Sequence, residues 1–286
     1  MYTIESRNIL TPQNGLNIYR GRTEDSIYLT EIPGGDDLDI GVKMDAPEQL
    51  SGVLRTRRNK GIIIMGNLGD PYNSHEKKYM LTRRSLKVIE NNDYGVVIST
   101  KQTAISRDMD ILAGIARKTK CAVEMTIPTL DEKKLKKIEG KEVSTVKERL
   151  ELITELRRAG VEVIIDAYPI IPFVNDQDIP EVVQCLTDYD ILGIDLMDYR
   201  LAIKKSVREF FYSQFKERFP KEFDEFSNLY EQSGELVPEN AKEILAELQA
   251  ICESHEIMCS SQKLKSWKRQ YINKTVGDQL TIFDIV

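Results

Sequence analysis

The stretch YGVVISTKQTAISRDMDILAGIARKTKCAVEMT, residues 94–126, sets the fold class. It opens on a short apolar run, Tyr94-Gly95-Val96-Val97-Ile98, and closes on another, Ala122-Val123-Glu124-Met125-Thr126. Between them, residues 106–118 place apolar side chains at helical spacing. Continuous apolar strands separated by a helix predict a parallel sheet covered on its outside. The same alternation extends outward. Ile62-Ile63-Ile64-Met65 precedes it, and Val161-Glu162-Val163-Ile164-Ile165 and Ile191-Leu192-Gly193-Ile194 follow. Helical stretches fall near 75–91, 144–159 and 177–187. With a first strand near Leu16–Tyr19, the chain has roughly six β/α units, which fits an α/β, partial (β/α)6 TIM-like barrel. Periodicity alone leaves an open doubly wound sheet as the alternative.

The pattern changes after about Tyr199. Residues 200–256 read as helical, with Phe210, Phe211, Tyr212, Phe215 and Phe219 forming an aromatic stripe that fits a core-facing helix side. The expected organisation is a barrel over 1–199, a helical C-terminal extension over 200–274 and a tail over 275–286. At 41% hydrophobic and 30% charged, the chain reads as globular. No apolar run is long enough for a bilayer, and the N-terminus lacks the pattern of a signal peptide. The expected location is therefore the cytoplasm, with no membrane partner. A net charge of -6 argues against coating nucleic acid through bulk charge, though a local basic patch remains compatible with it.

Several short motifs carry a resemblance. The first is Asn17-Ile18-Tyr19-Arg20-Gly21, followed by Ile27-Tyr28. Next come Ile64-Met65-Gly66-Asn67-Leu68-Gly69-Asp70-Pro71-Tyr72, then Ser99-Thr100-Lys101 with Arg107-Asp108-Met109-Asp110-Ile111-Leu112. Lys137-Ile138-Glu139, Glu148-Arg149-Leu150 and Pro169-Ile170-Ile171-Pro172-Phe173-Val174-Asn175-Asp176 complete the series. In this order they resemble the spore photoproduct lyase-like radical SAM family, across residues 8–200. The resemblance implies a radical SAM barrel and a setting of DNA repair. It also implies a C-x3-C-x2-C loop that holds a four-iron four-sulfur cluster. The matching positions are Arg22, Ser26 and Leu29. Such clusters are held by cysteine thiolates, and none of these three side chains supplies one. The expectation is a degenerate loop without a cluster, a pseudoenzyme in which Arg22 fills the vacated volume and pairs with Asp25 or Glu24. Residual SAM or nucleoside binding at the strand ends is the remaining cofactor expectation.

Asn67, Asp70, Tyr72, Lys101, Glu124 and Asp166 are the candidate pocket residues, because catalysis in a barrel gathers where its strands end. With Asp195, the carboxylates among them offer oxygen donors suited to magnesium or manganese. A divalent-metal phosphoesterase or lyase is thus the enzymatic alternative to a binding or regulatory protein. The four cysteines, Cys121, Cys185, Cys252 and Cys259, are scattered and read as reduced structural thiols. Cys252-x2-His255-x3-Cys259 has the look of a zinc cluster, but three soft ligands fall short of the usual four; no metal site is assigned.

Two C-terminal features point to partners. Lys265, Trp267, Lys268 and Arg269 interleave cations with an aromatic, which suits phosphate contact and base stacking. Gln279-Leu280-Thr281-Ile282-Phe283 looks like a bacterial sliding-clamp-binding peptide, with Gln279, Leu280, Ile282 and Phe283 as anchors. A terminal strand or a tail docked on its own barrel is the plainer reading of that segment.

Overall fold

The computed structural model describes residues 2–3, 9–12, 15–20, 26–27, 41–230, 235–238 and 240–275. Short strands open the chain: β1 (Tyr2–Thr3), β2 (Leu10–Thr11), β3 (Gly15–Leu16), β4 (Tyr19–Arg20) and β5 (Gly41–Val42). Helix α1 (Ala46–Thr56) leads into β6 (Ile62–Met65), α2 (Glu76–Tyr79), α3 (Leu81–Asn91) and β7 (Gly95–Thr100). Then come α4 (Met109–Lys118), β8 (Cys121–Thr126), α5 (Glu132–Glu139), α6 (Val146–Arg158), β9 (Glu162–Asp166), α7 (Ile179–Leu186) and β10 (Gly193–Asp195). The C-terminal part holds β11 (Leu201–Ala202), α8 (Arg208–Arg218), α9 (Pro220–Tyr230), β12 (Glu235–Leu236), α10 (Ala241–Ser254) and α11 (Ser261–Arg269).

The main sheet runs β10-β9-β8-β7-β6-β3-β2, parallel from β3 through β10 and antiparallel only between β2 and β3. From β6 to β10 each strand lies beside its predecessor in the chain. A sheet wound in one direction this way is a partial (β/α)6 TIM-like barrel, not a doubly wound sheet that reverses at a switch point. The β10 edge is covered by an irregular segment: Met258 donates to Leu192 O at 3.0 Å and accepts from Ile194 N at 2.9 Å. Gly193 makes room for it, since a Cβ there would sit 2.3 Å from Met258 O. Covering a sheet edge with chain removes a row of unpaired backbone groups.

Outward-facing Ile63, Met65, Val96, Ile98, Val123, Met125, Val163 and Ile165 pack beneath the helices as the main core. The elements begin where local chemistry allows. Thr145 and Glu148 form a capping box at the start of α6, and Asp131 accepts from Lys133 N and Lys134 N to start α5. Between them, Arg149 and Glu139 make a fully buried ion pair at 2.5 Å, with Arg149 also donating to Thr126 O and Ser144 O.

Three sequence expectations change. The sequence predicts a first strand near Leu16–Tyr19, but β3 ends at Leu16, and β4 belongs to a separate small sheet with β5 and β1. The helix expected over 75–91 breaks at Met80, whose φ of 55° is left-handed. There the Glu76 carboxylate accepts from Thr82 N at 2.9 Å, so a side chain satisfies a free donor of α3. The helical 200–256 region contains the antiparallel pair β11–β12. The aromatic stripe does face a core: Phe211, Phe215, Phe219 and Phe226 are buried together with Ile138, Ile171 and Val174 of the barrel.

Candidate functional site at the strand ends

The inner face of the sheet is acidic where the strands end. Asp166 pairs in register with Asp195 on one side and Thr126 on the other, and Glu124 lies opposite Ser99. Alternation along β8 puts Glu124 and Thr126 on one face, so Glu124, Asp166 and Asp195 share it. Glu124 accepts from Ser99 Oγ at 2.7 Å through Oε2 and from Lys268 Nζ at 2.7 Å through Oε1. Asp195 Oδ1 accepts from Ser261 Oγ at 2.6 Å and Met197 N at 3.0 Å. Asp166 Oδ1 accepts from Tyr168 N at 3.1 Å.

Helix α11 therefore closes this face from within the same chain, with its Leu264 fully buried. Burial works against the Lys268 ammonium, but the Glu124 charge and hydrogen bond, joined by Asp195 and Asp166, outweigh it and hold the group above its ordinary pKa. Asp166 has the opposite balance. Burial, then repulsion from Glu124 and Asp195, pushes its carboxyl well above the usual range, and Tyr168 N and Lys268 offset only part of that.

The other pocket candidates do structural work nearby. Asp70 accepts from Thr100 Oγ1 at 2.7 Å, Tyr72 N at 2.8 Å and Lys101 N at 2.8 Å, which ties the loop after β6 to the end of β7. Gly66 is required there: its φ is 99° and a Cβ would meet Ser99 O at 2.2 Å. Tyr72 donates to Asp108 at 3.0 Å. Asp108 also receives Arg83 and Arg107, and Arg107 reaches Glu76, which binds the Tyr19 hydroxyl at 2.5 Å. This part-buried network anchors β4, just before the segment that carries Arg22, Ser26 and Leu29. Asn67 is exposed.

Of the three positions that the resemblance sets in the cluster loop, Ser26 is described and Arg22 and Leu29 lie outside the described residues. Ser26 is buried, and its hydroxyl donates to Ile138 O at 3.2 Å while Ile27 N donates to the same carbonyl at 2.9 Å. The donor set does not fit an iron–sulfur cluster. A hydroxyl turned to a carbonyl at one position, with arginine and leucine at the other two, offers iron no thiolate. The four cysteines sit elsewhere, Cys121 at the start of β8 and Cys185, Cys252 and Cys259 after β9.

Nor do the strand-end carboxylates assemble as a metal centre. Among the described residues no group of three or more His, Cys, Asp or Glu side chains is arranged to hold a metal. Both Glu124 oxygens are already spent on Ser99 and Lys268.

In the basic segment, Lys265 and Arg269 are exposed, while Lys268 keeps only 18% of its side-chain surface and turns to Glu124. Trp267 is half-buried, with Lys120 Nζ 3.8 Å from its ring centroid. Gln279, Leu280, Ile282 and Phe283 lie outside the described residues. Sequence reasoning missed the roles of Ser99, Ser261 and Lys268 at this site. Lys268 is 144 residues from Glu124, and no local pattern links them.

The sequence pattern of the radical SAM superfamily matches residues 39–186, more than half of the chain. The chain belongs to the radical SAM superfamily. Uncharacterized proteins of Mycobacterium bovis and Mycobacterium tuberculosis are 24% identical over 224 residues, 77% of this chain. The match spans 65% of the length of those relatives. A spore photoproduct lyase variant superposes with a TM-score of 0.64 at 16% identity, covering 90% of this chain and 80% of its own. Spore photoproduct lyase complexed with dinucleoside spore photoproduct gives 0.61 at 14%, covering 88% and 78%. These structural likenesses establish a shared radical SAM fold. No described helix is long and apolar enough to cross a membrane.

Proposed function

We propose that this radical SAM-fold chain carries no iron–sulfur cluster and works as a non-catalytic binding or regulatory protein in a DNA-associated, cytoplasmic setting. The observation that carries this reading is Ser26. Where the resemblance places the middle cluster ligand, a buried hydroxyl is bonded to Ile138 O, and the flanking positions are Arg22 and Leu29. The fold is retained while the ligands are replaced, and fold alone does not carry an activity forward.

The DNA setting draws support from the fold shared with a protein seen in complex with dinucleoside spore photoproduct. Exposed Lys263, Lys265 and Arg269 on α11 supply cations suited to phosphate contact. Gln279-Leu280-Thr281-Ile282-Phe283 is the proposed tether to a bacterial sliding clamp. Strand-end nucleoside or SAM binding, if retained, would be weak without the iron anchor. The metal-enzyme alternative gains nothing from the geometry, since Lys268 neutralises Glu124 internally.

The test is fluorescence anisotropy of the full chain against a labelled DNA duplex and a purified bacterial sliding clamp, repeated on a chain lacking residues 279–286. The proposal expects clamp binding that the deletion abolishes and DNA binding that survives it and weakens with salt. Binding to neither partner would overturn it.

A further inference from the structure

Positive charge collects where strands β6, β7 and β8 begin, at the end of the sheet away from Asp166 and Asp195. Helices α1, α4 and α6 finish there in basic residues: Arg55, Arg117 with Lys118, and Arg157 with Arg158. Cations in a last turn complement the negative end of the helix dipole, which accounts for those five. It does not account for Arg57, Arg58 and Lys60, which stand beyond α1 in the loop that enters β6 and are all exposed. Chain from the C-terminal part is folded onto the same end. Tyr271 donates to Asp93 O at 2.8 Å, Lys274 N donates to Lys118 O at 2.8 Å, and Lys274 Nζ donates to Ala116 O at 2.9 Å. Tyr94 joins the two parts. Its hydroxyl donates to Asn59 O at 3.2 Å, and Lys60 Nζ lies 5.1 Å from its ring centroid. Two basic stretches some two hundred residues apart thus form one surface.

Its acids are already answered. Asp93 pairs with Lys118 at 3.5 Å, and Glu162 and Asp190 both pair with Arg157. Among the described residues, Arg57, Arg58, Lys60, Arg117, Arg269 and Lys274 make no ion pair. The surface also has an edge. Toward β10 the sign reverses, with Asp188, Asp190, Glu253 and Glu256 all exposed.

We propose that this surface is a nucleic-acid interface, holding the phosphate backbone of a duplex across the starts of β6, β7 and β8. The inference rests on the DNA-associated reading above and assigns the contact to the end of the sheet opposite the candidate site. Six cations without an internal partner match a polyanion in sign and leave little intramolecular bonding to break. The aromatics are engaged: Tyr94 is buried, and half-buried Trp267 carries Lys120 on its ring. Contact is therefore to phosphates, not to stacked bases, and independent of sequence. Exposed large apolar side chains are represented here by Ile272 alone among the described residues, too little for the apolar face that a lipid surface takes up. At the far end of the strands, Glu124, Asp166 and Asp195 repel phosphate, so a bound duplex lies away from the inner face.

The experiment measures anisotropy of a short labelled duplex against the full chain over a range of salt, for wild type and two variants whose folding is checked by circular dichroism. Arg57→Gln, Arg58→Gln and Lys60→Gln together should weaken binding by about tenfold or more and reduce the log–log salt slope by about 2–3. Lys263→Gln with Lys265→Gln, on the exposed side of α11, should change both far less. In the wild-type chain, duplex should slow acetylation of Lys60 and leave exposed Lys77 of α2, at the other end of β6, unaffected. Loss of binding in the Lys263 and Lys265 variant alone would overturn this interface and leave the DNA reading standing. No duplex binding by wild type would overturn both. Tighter binding to anionic phospholipid vesicles than to duplex, through the same three residues, would give the surface to a membrane and overturn the proposal.

Discussion

At Asp166, burial and two neighbouring carboxylates push in the same direction, toward the protonated form. A carboxyl whose folded pKa lies above its unfolded value binds a proton more tightly in the native state. Its charge therefore weakens the fold as pH rises from the ordinary value of 3.8 through the raised one. Asp166→Asn should raise stability at pH 7, and the gain should shrink as pH falls below about 4, where Asp166 is protonated in both states. Urea denaturation at the two pH values checks this; a variant less stable at neutral pH would show that Asp166 has a compensating partner. Lys268 predicts the opposite response. Lys268→Ala leaves the nearly buried Glu124 carboxyl without its cation, for a loss of about 2–4 kcal/mol at neutral pH, less than for a fully buried pair. In the double variant with Glu124→Gln most of that loss should disappear. Arg149 sets the upper bound, since it and Glu139 have no exposure at all. Arg149→Met should cost about 3–5 kcal/mol by denaturant titration.

Elements were legible in the sequence to the degree that their signal was local. Strands β6 to β10 carry continuous apolar runs, and α6 carries its own capping box, so both can be read without the fold. Helix α3 was not delimited, because its start depends on a left-handed Met80 and on the Glu76 carboxylate from the preceding turn. Strands β11 and β12 pair across more than thirty residues, at a spacing no periodicity reveals. The aromatic stripe was readable from helical spacing, and its core role makes a prediction at this scale. Phe215, with no exposure, packs on Phe211 at 5.6 Å and Phe226 at 4.4 Å between ring centroids. Phe215→Ala should destabilise the chain by about 3–5 kcal/mol, read by chemical denaturation. A loss below about 1 kcal/mol would mean that the cluster can collapse around the gap.

For the whole molecule, the sheet order and the superfamily match agree with the barrel that the apolar runs implied. The candidate site was only partly legible. Glu124, Asp166 and Asp195 could be placed at strand ends, but what sits against them could not. In the sequence Lys268 groups with Lys265 and Arg269 as a cation suited to phosphate contact; those two are exposed, yet Lys268 turns to Glu124 because its helix folds back across the inner face. A single chain thus supplies both the acidic strand ends and the cation that covers them. The central claim concerns the loop at Arg22, Ser26 and Leu29, where the radical SAM fold persists without thiolates. Its most direct test is anaerobic reconstitution of the purified full chain with iron and sulfide, followed by iron counting, absorbance and SAM calorimetry on the same sample. The account predicts protein that keeps no stoichiometric iron and shows no cluster-dependent SAM binding. Coloured protein retaining about four irons per chain and binding SAM would contradict it.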